Sequence, residues 1–161
     1  MKKDFYIYIG IFASLAASRF VPHPPNFTSL IALSFYVPVL FGLRFIPVLM
    51  FCFIVTDFII GFHSVTFFTW GSIILIGMVS KYFLKNIVTR FLGALIGSVI
   101  FFIFTNFGVW LLGGYEMSIN GLILCFVMAI PFFTYNLIST LFFSFLIECF
   151  YSLFNRKFAV K

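Results

Sequence analysis

Charge is what this sequence lacks most. Asp, Glu, Lys and Arg together make 9% of the 161 residues, and only four of those are acids. A soluble domain carries about 25% charged residues, which it needs to coat its surface. With 63% hydrophobic residues and a mean hydropathy of +1.20, that coat is missing, and a soluble globular domain is excluded. The chain has room for one membrane domain, residues 1–161, and no long polar stretch marks a second one. Cysteine is scarce too. Cys52, Cys125 and Cys149 all lie within apolar runs, without C-x-x-C spacing, so neither a disulfide framework nor a zinc site is expected. No HExxH, GxSxG or phosphate-binding loop is found, and no two acids share a helical turn. The expectation is a protein that is not an enzyme and holds no cofactor, with any energy supplied by partners or an ion gradient. The net charge of +6 comes from short basic clusters between apolar runs and is not the stripe of a nucleic-acid-binding protein.

What is present is a succession of apolar runs. A membrane helix needs about 20 apolar residues, with roughly 17 as the lower limit. Six segments are predicted: about Phe5 to Ser18, Phe27 to Phe41, Phe45 to Phe62, Val65 to Ser80, Phe91 to Leu112, and Gly121 to Phe154. The first, second and fourth are short. The last is longer than a bilayer is thick, so its end is expected along the cytoplasmic surface. The Lys2-Lys3 start and the Ser14-Leu15-Ala16 run also suit a cleavable signal peptide, but no polar mature domain follows. Basic residues decide orientation, because loops rich in Lys and Arg stay cytoplasmic. With six spans and the N-terminus inside, Lys2, Lys3, Arg44, Lys81, Lys85, Arg90, Arg156, Lys157 and Lys161 fall inside, and of the ten basic residues only Arg19 falls outside. The predicted fold class is therefore an all-α membrane protein of six transmembrane helices with both termini cytoplasmic, placed in the bacterial inner membrane as a multi-pass protein.

Most unusual is Ser18-Arg19-Phe20-Val21-Pro22-His23-Pro24-Pro25-Asn26-Phe27, which holds three of the six prolines and one of the two histidines. Prolines lack a donor and push the preceding residue towards extended backbone, so this stretch is a stiff loop. In the six-span arrangement it is the first outer loop. The same outer level receives Asp57, His63, Asn106, Trp110, Tyr115, Glu116 and Asn120. An acid as deep as Asp57 costs a few kcal/mol facing lipid, so it should face a partner or an aqueous hollow. Arg19 is its natural counter-charge, and a purely structural ion pair between the first and third helices is the plainer reading. Likewise His23 and His63 read as interfacial loop residues, and Trp110 and Tyr115 as an aromatic belt. Because polar and aromatic groups from all three outer loops gather at one level, Arg19, His23, Asn26, Asp57, His63, Asn106, Trp110 and Asn136 are the candidate ligand-binding residues, Asn136 as the floor. A metal site built from His23, Asp57, His63 and Glu116 finds no support in helical i, i+4 spacing.

Small residues recur on two helices. Gly10, Ala13 and Ala17 lie on the first, and Gly93-Ala94-Leu95-Ile96-Gly97 is a G-x-x-x-G on the fifth. Such stripes let helices approach closely, either inside one chain or against a second subunit.

The run Arg19 to Thr28 with its PHPPNF core resembles the hallmark of a family of small, uncharacterised prokaryotic integral membrane proteins. The stretches Asp57 to His63, Thr105 to Trp110 and Ala129 to Phe133 followed by Asn136 resemble it as well. In length, six-helix topology and the A-x-x-x-A of Ala13 and Ala17, the chain is also similar to the substrate-binding S component of energy-coupling factor transporters. That resemblance implies capture of a small molecule such as a vitamin at an outward-facing site. It also implies docking through Ala13 and Ala17 onto a transmembrane coupling subunit driven by ATPases. In a cobalamin-binding member, Cys125 would be the thiol to consider. The alternative expectation is a structural or assembly-type membrane protein without a ligand.

Overall fold

The computed structural model describes residues 2–159, with side chains over residues 5–153. It is all-helical among these residues: α1 (Lys2–Phe20), α2 (Leu30–Phe41), α3 (Ile46–Ile60), α4 (Thr66–Val79), α5 (Ile87–Leu111) and α6 (Ile119–Ala159). Single 3₁₀ turns, Leu43–Phe45 and Ser80–Tyr82, precede α3 and follow α4. The ends have local causes. At Gly42 (φ 100°) and Gly61 (φ 107°) the chain turns into a region that favours glycine, and their amides cap Pro38 and Asp57 carbonyls to close α2 and α3. Pro47 lies in the first turn of α3, where its missing donor is harmless.

Two boundaries differ from expectation. α2 begins at Leu30 rather than Phe27, because Phe27 to Ser29 complete the proline loop. α5 begins at Ile87, four residues early. Asn86 caps it reciprocally with Thr89, each side chain bonding the other's backbone amide. Arg90 is therefore a first-turn helical residue and not, as expected, a loop cation. The basic residues Lys2, Lys3, Arg156, Lys157 and Lys161, which support the orientation expectation, lie outside the residues whose side chains are described.

α2 is the centre of the bundle and packs on all five other helices. It is apolar on every side, and Leu30 to Pro38 are all buried. One core cluster, including Ile11, Leu15, Leu33, Val37, Leu49, Phe53 and Ile73, ties it to α1, α3 and α4. A second, of Ile31, Phe35, Tyr36, Ile76 and Ala94, ties it to α4 and α5. The exterior is apolar as well: Phe51, Phe58, Phe67 and Phe145 stand 59–79% exposed. Water does not tolerate so continuous an apolar coat on a single soluble chain, whereas hydrocarbon does. Among the described residues, three helical stretches are long and apolar enough to cross a membrane, Leu43–Ile60, Ile87–Leu111 and Ile119–Leu153. α2 is shorter, at 12 residues, as is α4 at 14.

Candidate functional site

The proline loop is a built wall. Pro24 to Phe27 form a turn closed by the Phe27 amide on the Pro24 carbonyl at 3.0 Å, with Asn26 at φ 62°. A proline followed by a left-handed residue is the pattern of a type II turn, and Asn tolerates that region better than other side-chain-bearing residues. His23 Nδ1 donates to the same Pro24 carbonyl at 2.8 Å, since a carbonyl oxygen can only accept. The turn is braced against α6: Ser139 Oγ donates to the Asn26 carbonyl at 3.4 Å, and Phe27 packs on Phe142 and Phe143. On the other side Ser29 Oγ meets Ser18 Oγ at 2.7 Å, fastening the loop to α1.

Beside it, the last turn of α1 carries Arg19. Its Nη1 donates to Thr56 Oγ1 and its Nη2 to Asp57 Oδ1, both at 2.6 Å, and the guanidinium lies 4.5 Å over the Phe53 ring. Asp57 Oδ2 accepts from Trp70 Nε1 at 2.8 Å, so both carboxylate oxygens are occupied, and the residue is 1% exposed. The ion pair links α1, α3 and α4. Arg19, 13% exposed, sits on its outer side.

These parts border a cavity of about 470 Å³, within the 300–1,000 Å³ range of small-molecule sites. It lies at one end of the bundle, lined by the last parts of α1, α3 and α5, the proline loop, the first residues of α2 and α4, and the first half of α6. Of the residues singled out in the sequence, Arg19, His23, Asn26, His63, Asn106 and Asn136 line it together. Asn106 Nδ2 is held by the Phe102 carbonyl at 2.7 Å. Asn136 is 6% exposed, and its carboxamide makes no hydrogen bond to another described residue. An aromatic wall completes the hollow, with Phe101 and Phe102 from α5 and Phe132 and Phe133 from α6. The Phe102 and Phe133 rings are 4.5 Å apart.

Two of the predicted residues stand elsewhere. Asp57 lies behind Arg19 and does not line the cavity. Trp110, in the last turn of α5, donates through Nε1 to the carbonyl of Glu116 at 3.1 Å in the connection to α6, which also carries Tyr115, while Asn120 lies in the first turn of α6. Among the described residues no three His, Cys, Asp or Glu side chains form a group fit for a metal ion. Cys125 is buried, its thiol on the Asn106 carbonyl at 3.3 Å. The two small-residue stripes part company. Gly93 and Gly97 are buried against Phe35, Phe83 and Ile76, which is packing inside the chain. Gly10, Ala13 and Ala17 lie on the exposed side of α1.

The sequence reading missed Trp70 and the second buried ion pair. Arg90 Nε and Nη2 donate to the two Glu148 oxygens at 2.6 and 2.9 Å, joining α5 to α6 at the end away from the cavity. Glu148 was open to detection, because an acid inside a long apolar helix calls for a partner. Trp70 carried no such signal, since an indole in an apolar run reads as packing.

No curated protein and no solved structure matches the chain. A match to a protein family extends over residues 1–161, and by it the chain belongs to the family of unknown function DUF6580.

Proposed function

We propose that this protein captures a small molecule, such as a vitamin or related nutrient, in the cavity behind the proline loop, for uptake across the bacterial inner membrane. The single observation that carries this reading is the convergence of Arg19, His23, Asn26, His63, Asn106 and Asn136 around an aromatic-lined hollow of about 470 Å³. A few placed polar groups in an apolar setting are what orient and select a small ligand. In this reading all six helices cross the membrane, both termini are cytoplasmic and the cavity opens outward. The twelve residues of α2 extend only about 18 Å at 1.5 Å per residue. Being enclosed by five neighbours supports their inclusion among the crossings, since a helix shielded from lipid need not match its thickness. Arg44, Lys81, Lys85 and Arg90 stand at the end away from the cavity, which supports the orientation. The exposed Ala13 and Ala17 face of α1 is where a transmembrane coupling subunit with its ATPases would dock.

The test is thermal stability of the detergent-purified chain across a panel of vitamins and related nutrients. Stabilisation by one compound is expected, and it should be lost in Asn136→Leu and Asn106→Leu, which leave the Arg19–Asp57 pair intact. If no compound shifts the midpoint while envelope proteins co-purify in fixed ratio, capture is wrong and the protein is a scaffold.

A further inference from the structure

The chemistry of the cavity wall narrows what it accepts. Twenty residues line it, and none is an acid. Arg19 is its one permanently charged lining side chain, balanced by Asp57 at 2.6 Å, and Asp57 offers a ligand no free oxygen because it is 1% exposed with both oxygens already bonded. A guanidinium has five N–H donors. Thr56 and Asp57 account for two of them, leaving three on a side chain locked by its neighbours and by the Phe53 ring beneath it. An arginine held from behind is preorganised to bind a carboxylate in front, because ordering it costs the ligand little. The same lining holds the aromatic wall, in which Phe102 and Phe133 pack on each other at 4.5 Å and supply apolar ring surface for a flat partner. The Asn136 carboxamide, also in the lining, offers a donor and an acceptor.

We infer that the cavity takes a planar aromatic or heteroaromatic carboxylate, its ring against Phe102 and Phe133 and its carboxylate on Arg19. The inference rests on the capture reading and adds the ligand's charge and shape. A cation is disfavoured, since the wall offers it the N–H donors of Arg19 and no lining carboxylate. An aliphatic acid would leave the aromatic wall without a flat face to stack on.

Isothermal titration of the full chain in detergent with four probes tests this: 2-naphthoate, 2-naphthamide, 2-naphthylmethylammonium and hexanoate. The naphthoate should bind at least tenfold more tightly than the amide or hexanoate, with no measurable heat from the ammonium. Arg19→Gln together with Asp57→Asn removes both charges at nearly constant shape, and should bring naphthoate down to the level of the amide. Phe133→Leu, which spares the ion pair, should weaken naphthoate and naphthamide alike and leave hexanoate unchanged. Equal affinity for naphthoate and naphthamide, or tighter binding of the ammonium, overturns the anionic assignment while capture stands. Hexanoate binding as tightly as naphthoate overturns the ring assignment. If none of the four probes binds and no nutrient stabilises the protein, both readings fall.

Discussion

Arg19 and Asp57 show how much a single contact can organise. Only four acids are present in the chain, and the structure uses two of them, Asp57 and Glu148, in buried pairs at opposite ends of the bundle. A buried pair costs desolvation on both sides, so its net contribution is small, but removing one partner strands the other. Asp57→Leu leaves the Arg19 guanidinium and the Trp70 indole N–H without their acceptor. We expect a loss of about 3–5 kcal/mol, measured as a lower unfolding midpoint in detergent. Arg19→Met combined with Asp57→Leu should recover most of that loss, since no charge then remains buried. If the double variant is as unstable as the single one, the pair holds the bundle through packing and not through charge. The sequence made the partnership of Arg19 and Asp57 legible because Arg19 was the lone basic residue at the outer level and Asp57 lay too deep in its helix to face lipid. It gave no sign of Trp70, whose bond to Asp57 depends on how α3 and α4 face each other.

At the scale of the element, glycines report which helix faces are inside. A Cβ on Gly93 runs into the Phe35 ring and comes within 2.7 Å of Phe83, whereas a Cβ on Gly10 meets nothing within 4 Å. Gly93→Ala should therefore lower stability by about 1–3 kcal/mol through overpacking. Gly10→Ala should be neutral, or raise stability by up to about 1 kcal/mol through helix propensity. Paired thermal unfolding curves of the two variants check this. Equal midpoints would mean that α2 and α5 do not meet at Gly93. Both stripes looked alike in sequence, because spacing reveals that a face is small but not what lies against it. The proline loop was more legible: Pro-Pro-Asn carries its turn in its own dihedral preferences. The start of α5 was less so, because the capping pair of Asn86 and Thr89 extends the helix past Arg90 into residues that read as a loop.

For the whole molecule, the question is orientation in a bilayer. An apolar exterior, three long apolar helices and basic connections opposite the cavity fit a bundle that stands across a membrane. In the proposed orientation, His23→Cys should react with a membrane-impermeant maleimide in intact cells, while Lys85→Cys should react only after permeabilisation. The native cysteines provide a low background, since Cys52 and Cys125 are buried and Cys149 is partly so. Labelling of Lys85→Cys in intact cells, with His23→Cys silent, would reverse the orientation and place the cavity on the cytoplasmic side.

Composition and the succession of apolar runs were sufficient to determine an apolar chain that is, over its described residues, all-helical with six helices and stiff turns. Those properties follow from local preferences and from the cost of exposing a backbone without partners in hydrocarbon. Which polar residues meet was decided only by the tertiary structure. The cavity draws Arg19, His63, Asn106 and Asn136 from four separate parts of the chain, and Arg90 meets Glu148 across 58 positions. Such encounters depend on how α2 sets the angle and rotation of five surrounding helices. That is a property of packed side-chain shapes, and it leaves no period in the sequence.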